Sequence, residues 1–67
     1  MKEYFCFRVY YERGIKDCQI CVYRRSAQEA KETVEKLTPS AEVYQIDRFD
    51  DRLGVFVPVW TDTSFVF

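Results

Sequence analysis

Apolar and polar positions alternate along residues 2–25, switch to a helical period over 26–37, and alternate again from residue 41 onward. The segment KEYFCFRVYYE (2–12) is rich in the aromatic and β-branched types that suit a half-buried pleated surface, so it predicts a strand. Arg13-Gly14 predicts a turn, glycine being free to take positive φ, and IKDCQICVYRR (15–25) predicts the return strand. Pairing the two across an Arg13-Gly14 loop sets Phe5 against Val22, Phe7 against Ile20 and Val9 against Cys18, an apolar face throughout. The opposite face then pairs Tyr4 with Tyr23, Cys6 with Cys21, Arg8 with Gln19 and Tyr10 with Asp17.

SAQEAKETVEKL (26–37) predicts a helix. Ser26 and Glu29 have the spacing of a capping box, and Ala27, Ala30, Val34 and Leu37 fall on one stripe. Small residues at its start let the helix lie close on a sheet, and Glu32 with Lys36 forms an i,i+4 pair in the better orientation. Thr38-Pro39 ends it, because a residue before proline is pushed out of the α region.

AEVYQIDRFD (41–50) predicts a third strand with Tyr44 and Ile46 facing inward. Val43 and Phe49 compete for that face, which a bulge or a second covered face would reconcile. Asp51-Arg52-Leu53-Gly54 predicts a turn, and VFVPVW a fourth strand that Pro58 confines to a sheet edge. The tail TDTSFVF folds back as a short strand or lies across the sheet. The order β-β-α-β-β with a right-handed crossover gives an α+β fold: a four-stranded antiparallel sheet in the order 2-1-3-4, one helix on one face, in a single domain spanning 1–67.

Composition sharpens this picture. A chain of 67 residues buries only about 60% of its unfolded surface, and twelve aromatic residues supplement so small a core. Ten basic and eleven acidic residues give a net charge of −1, without the basic excess typical of duplex nucleic-acid binding. With no histidine, the chain by itself supplies no histidine triad, relay or metal ligand. The opening MKEYFCFRVYYER has no apolar signal region, no apolar run approaches a membrane span, and three cysteines suit a reducing interior. The expectation is a cytosolic protein with no membrane contact.

Cys18-Gln-Ile-Cys21 has the spacing of a redox or zinc motif. On a strand, however, an offset of three sends the two thiols to opposite faces, and no helix begins nearby to lower a thiol pKa. Cys18 reads as a core residue. Cys6 and Cys21, opposite each other in the expected register, read as free thiols or as a redox-sensitive bridge. The serines lack a base to activate them, Asp47, Asp50 and Asp51 lack the spacing of a calcium loop, and two glycines make no phosphate cradle. No catalytic residue, metal ligand or cofactor site is expected.

The face away from the helix carries Tyr4, Cys6, Arg8, Tyr10, Cys21, Tyr23 and Arg25, and tyrosine and arginine are the types enriched at interface hot spots. Three occupants fit it. Trp60, Phe65 and Phe67 fold over it from the tail; a protein partner covers it, a homodimer through the sheet or its edge being one form; or single-stranded nucleic acid stacks on Tyr4, Tyr10 and Tyr23 with phosphates at Arg8, Arg24 and Arg25. Glu12 and Asp17 oppose the last of these, and the aromatic signature of an RNA-recognition sheet is absent.

The hairpin KEYFCFRVYYERGIKDCQICVYRR, the helix SAQEAKETVEKL and the strand AEVYQIDRF together resemble small β-β-α-β-β proteins of phages and mobile elements, some anti-CRISPR inhibitors among them. The resemblance is one of architecture and carries no functional residue across. It implies stoichiometric occlusion of a partner's surface rather than catalysis, with Tyr4, Arg8, Tyr10, Tyr23, Arg25, Trp60, Phe65 and Phe67 as the contact residues. A host regulatory or accessory protein of the same shape is the other reading.

Overall fold

The computed structural model describes residues 3–62. Its elements are β1 (Phe5–Arg13), β2 (Lys16–Arg24), α1 (Ala27–Leu37), β3 (Glu42–Asp50) and β4 (Val55–Thr61). They build an antiparallel sheet in the order β2-β1-β3-β4 with α1 packed on one face, the α+β topology expected from the pattern.

The hairpin turns one residue later than expected. Gly14 takes φ 64° at the first position of a two-residue Gly14-Ile15 loop, as a type II′ turn requires, and Arg13 closes the strand opposite Lys16. Each β1 residue therefore meets a partner two positions further along β2: Phe5 faces Arg24, Phe7 faces Val22 and Val9 faces Ile20. A shift of two keeps every side chain on its expected face. It does separate the anticipated cysteine pair, since Cys6 lies opposite Tyr23 and Cys21 opposite Arg8. No disulfide joins Cys6, Cys18 and Cys21, and Cys18, opposite Tyr11, is half-buried at the rim of the core rather than within it.

The helix starts where the capping pattern places it: Ser26 is extended and its Oγ accepts the Glu29 N–H at 3.2 Å. At the other end the Thr38 N–H donates to the Val34 carbonyl at 2.8 Å just before Pro39. Ala30 and Val34 are buried and Ala27 packs beside them, but Leu37 is 69% exposed. At 3.6 residues per turn Leu37 stands within about 20° of Ala30 around the helix, so its exposure comes from its place as the last residue of α1 and not from its angle. Surface pairs form from Gln28 to Glu32 at 3.1 Å and from Lys31 to Glu35 at 2.9 Å.

Two register breaks set the phase of the second half of the sheet. Tyr10 pairs with Gln45 but Tyr11 with Val43, so Tyr44 is an extra residue in β3. Val43 and Ile46 consequently both face the helix, and Tyr44, expected to point inward, stands on the other side. Next, Ile46 pairs with Trp60 but Asp47 with Pro58, which makes Val59 the extra residue in β4. The core beneath the helix is Phe7, Val9, Ala30, Val34, Val43 and Ile46, with Phe5, Tyr11, Val22 and Trp60 packed around it. Burial of each large member contributes roughly 1.5–3 kcal/mol. Arg48 interrupts this side of the sheet; its guanidinium lies 5.1 Å from the Phe5 ring centroid.

Candidate functional site

On the face away from α1, the alternation of β1 and β2 aligns Cys6, Arg8 and Tyr10 with Tyr23, Cys21 and Gln19. β3 and β4 extend this surface with Phe49 opposite Phe56 and Asp47 opposite Pro58. Among the described residues no further element packs on it.

Arg8 is the hub. Its Nη1 donates to the Tyr10 hydroxyl at 3.3 Å, and its guanidinium carbon lies 4.0 Å from the Phe56 ring centroid, a cation–π contact. The Tyr10 hydroxyl raises the Arg8 pKa, partial desolvation opposes that, and Cys21 across the strand pair adds to it. Phe56 meets Phe49 edge-on, with centroids 5.3 Å apart, in the preferred geometry for aromatic pairs. Toward the hairpin turn, Tyr10 leans on Tyr44 at 6.2 Å, and the Tyr44 hydroxyl donates to Asp17 Oδ1 at 2.6 Å. That bond, aided by desolvation and the Asp17 charge, raises the Tyr44 pKa to about 12. At the far end Arg25 Nη2 reaches the Tyr4 hydroxyl at 3.5 Å, with its guanidinium over the same ring at 5.4 Å.

The surface therefore brings together Tyr4, Arg8, Tyr10, Tyr23 and Arg25, as the strand alternation predicts. It does not bring Trp60 with them. The bulge at Val59 turns Trp60 onto the helix side, opposite Ile46, where Lys31 Nζ lies 5.7 Å from its ring. There Trp60 lines a cleft of about 470 Å³ with Lys31, Glu35 and Val43. Phe65 and Phe67 lie outside the described residues.

Three members of the face were not anticipated. Tyr44 reaches it through the first bulge, while Phe49 reaches it by plain alternation from Ile46 and Phe56 by unbroken pairing with Phe49 out from the turn at 51–54. The competition of Val43 and Phe49 with Tyr44 and Ile46 was the only sequence signal of this. Asp47, on the same face, is 6% exposed and accepts from Gln45 Nε2 at 2.8 Å. Asp50 does serve the turn, its Oδ1 accepting from the N–H groups of Arg52 and Leu53 at 2.8 and 3.1 Å.

Among the described residues, no group of three or more histidine, cysteine, aspartate or glutamate side chains is arranged to hold a metal ion. No helix among them is long and apolar enough to cross a membrane. What the site offers chemically is a flat display of aromatic rings and phenol hydroxyls with two arginines held in place by tyrosines. No family model matches the chain, and comparison with curated proteins and with solved structures finds no match.

Proposed function

We propose that this chain is a small non-enzymatic protein-binding module of the cytoplasm. It acts by covering a partner's surface with the tyrosine–arginine–phenylalanine face of its sheet, in the manner of phage or mobile-element inhibitors such as some anti-CRISPR proteins. The observation that carries this reading is the Arg8–Tyr10–Phe56 cluster flanked by exposed Tyr23 and Tyr4. Such residues provide large contact area at low entropic cost, and here their arginines are ordered before any partner arrives. Phosphate binding is less well supported on this face. Arg8 and Arg25 are each engaged by a tyrosine, and Asp17 with the opposed Glu12 and Glu42 adds negative charge beside them.

The test is affinity capture from lysate with and without nuclease treatment, followed by direct binding of the purified partner. Tyr23→Ala, which removes an exposed ring, is expected to weaken the complex roughly thirtyfold, with little dependence on salt. Arg8→Ala is expected to weaken it at least as much, because Phe56 and Tyr10 lose their organiser. Capture of nucleic acid alone, with a binding constant that falls steeply with salt and a slope reduced in Arg25→Ala, would replace this reading with single-strand binding.

A further inference from the structure

We infer that the chain self-associates through the free edge of β2, as a symmetric dimer whose sheets join with the twofold axis between Cys21 and the second copy's Cys21. The two edges of the sheet differ in kind. At β4 the ladder is interrupted by Pro58, which has no N–H, and by the extra residue Val59. β2 carries no such device. Its nine residues, Lys16–Arg24, pair with β1 without a register break and include neither proline nor glycine. Long regular edges of this type are templates for strand pairing unless blunted, and among the described residues nothing pairs with the outer side of β2.

The backbone and the side chains point to the same arrangement. In a two-residue hairpin the closing pair, Arg13 and Lys16, exchanges both hydrogen bonds; alternation then directs the backbone groups of Asp17, Gln19, Cys21 and Tyr23 outward. On the helix side of the edge, Ile20 is 37% exposed although its cross-strand partner Val9 is fully buried. Antiparallel pairing about Cys21 sets Ile20 against the second copy's Val22, Gln19 against its Tyr23, and Asp17 against its Arg25. Each contact is made twice, so apolar meets apolar beside the axis and opposite charges meet at both ends.

Neighbouring registers match less well. Pairing about Ile20 opposes Lys16 to Arg24, like charges at both ends. Pairing about Gln19 sets Val22 against Lys16 and leaves Arg24 and Arg25 without counterparts. Because paired residues share a face, the dimer places both helices on one side and both Arg8–Tyr10–Phe56 surfaces on the other, as one continuous display. The dimer itself does not depend on the partner-binding reading.

Sedimentation of the full chain under reducing conditions is expected to show reversible monomer–dimer exchange. Gln19→Pro removes an outward N–H that the hairpin does not use, and is expected to weaken dimerisation at least tenfold while circular dichroism keeps the monomer's signature. Charge reversal gives a test that leaves the backbone alone: Asp17→Arg or Arg25→Asp alone weakens the dimer, and the two together restore it. Register is read by oxidation with diamide, which takes up the two electrons and two protons released as two thiols join. A disulfide-linked dimer should form in Cys6→Ser and Cys18→Ser and be lost in Cys21→Ser. A hydrogen-bonded strand pair holds Cα atoms about 5.5 Å apart, within disulfide span. A monomer at all concentrations, unchanged dimerisation in folded Gln19→Pro and in both charge reversals, or crosslinking that needs Cys6 or Cys18 would each overturn the inference. Loss of partner capture in Arg8→Ala, a position on β1 away from the free edge, with dimerisation intact would bear on the proposed function alone.

Discussion

Tyr44 illustrates how one residue's chemistry follows from a break in alternation. As the extra residue of the β3 bulge it leaves the core side and donates its hydroxyl to Asp17 across two strands. The bond exists only while the phenol is protonated, so the folded state raises the pKa to about 12 from an ordinary value near 10. The sign follows from linkage: this stabilisation is complete below the unfolded value of about 10 and is lost as pH rises through about 12. Tyr44 is half-buried and its bond to Asp17 lies at the surface, so screening keeps its contribution small. In spectrophotometric titration, Tyr44→Phe is expected to remove the last-titrating phenol and to flatten the alkaline decline in melting temperature over that window. An unchanged late phenolate transition in the variant would show that another tyrosine carries it.

At the scale of the element, the β1–β2 hairpin depends on a single backbone requirement. Gly14 has φ 64°, a conformation that L-residues rarely adopt, and no atom lies within 4 Å of where a Cβ would stand. The cost of Gly14→Ala is therefore conformational rather than steric crowding, about 1 kcal/mol, and Gly14→Asn should cost less because asparagine tolerates that region. Thermal melts of the two variants check the order, and equal melting temperatures for wild type and Gly14→Ala would remove the turn assignment. Helix and strands were legible because their periods, caps and breakers are local. The turn was misplaced by one residue because Arg13-Gly14 and Gly14-Ile15 both supply a two-residue loop with one glycine, and both preserve the apolar face.

For the molecule as a whole, one thin layer of side chains between helix and sheet holds the fold. The buried apolar residues among those described are Phe7, Val9, Ala30, Val34, Val43 and Ile46. A domain of this size has a stability of roughly 3–10 kcal/mol. Ile46→Ala, at a position 1% exposed under the helix, is expected to cost about 2–5 kcal/mol, a large share of that total. Leu37→Ala, at a position 69% exposed, is expected to change stability by less than about 0.5 kcal/mol. Urea denaturation of both variants reads the contrast, and a Leu37 cost equal to that of Ile46 would show that the helix end is packed. Arrangement at this scale also decides what surface is available. The crossover helix covers one face, the tyrosine–arginine face is turned away from it, and the edges are unequal, one interrupted by Pro58 and the other regular along β2.

The chain by itself determined the four strands, the capped helix, their order in the sheet and the hairpin face on which Tyr4, Arg8, Tyr10, Tyr23 and Arg25 gather. Each of these follows from a local period or a local stereochemical rule, readable within a few residues. Only the tertiary structure decided where β3 and β4 change phase. A bulge is defined by two residues on one strand meeting one on its neighbour, so neither strand alone reveals it. Those two breaks moved Tyr44 to the open face, moved Val43 into the core and turned Trp60 under the helix. The pairing of β4 with β3 across the turn at 51–54 sets Phe56 opposite Phe49 and over Arg8, completing a surface that the first hairpin only begins.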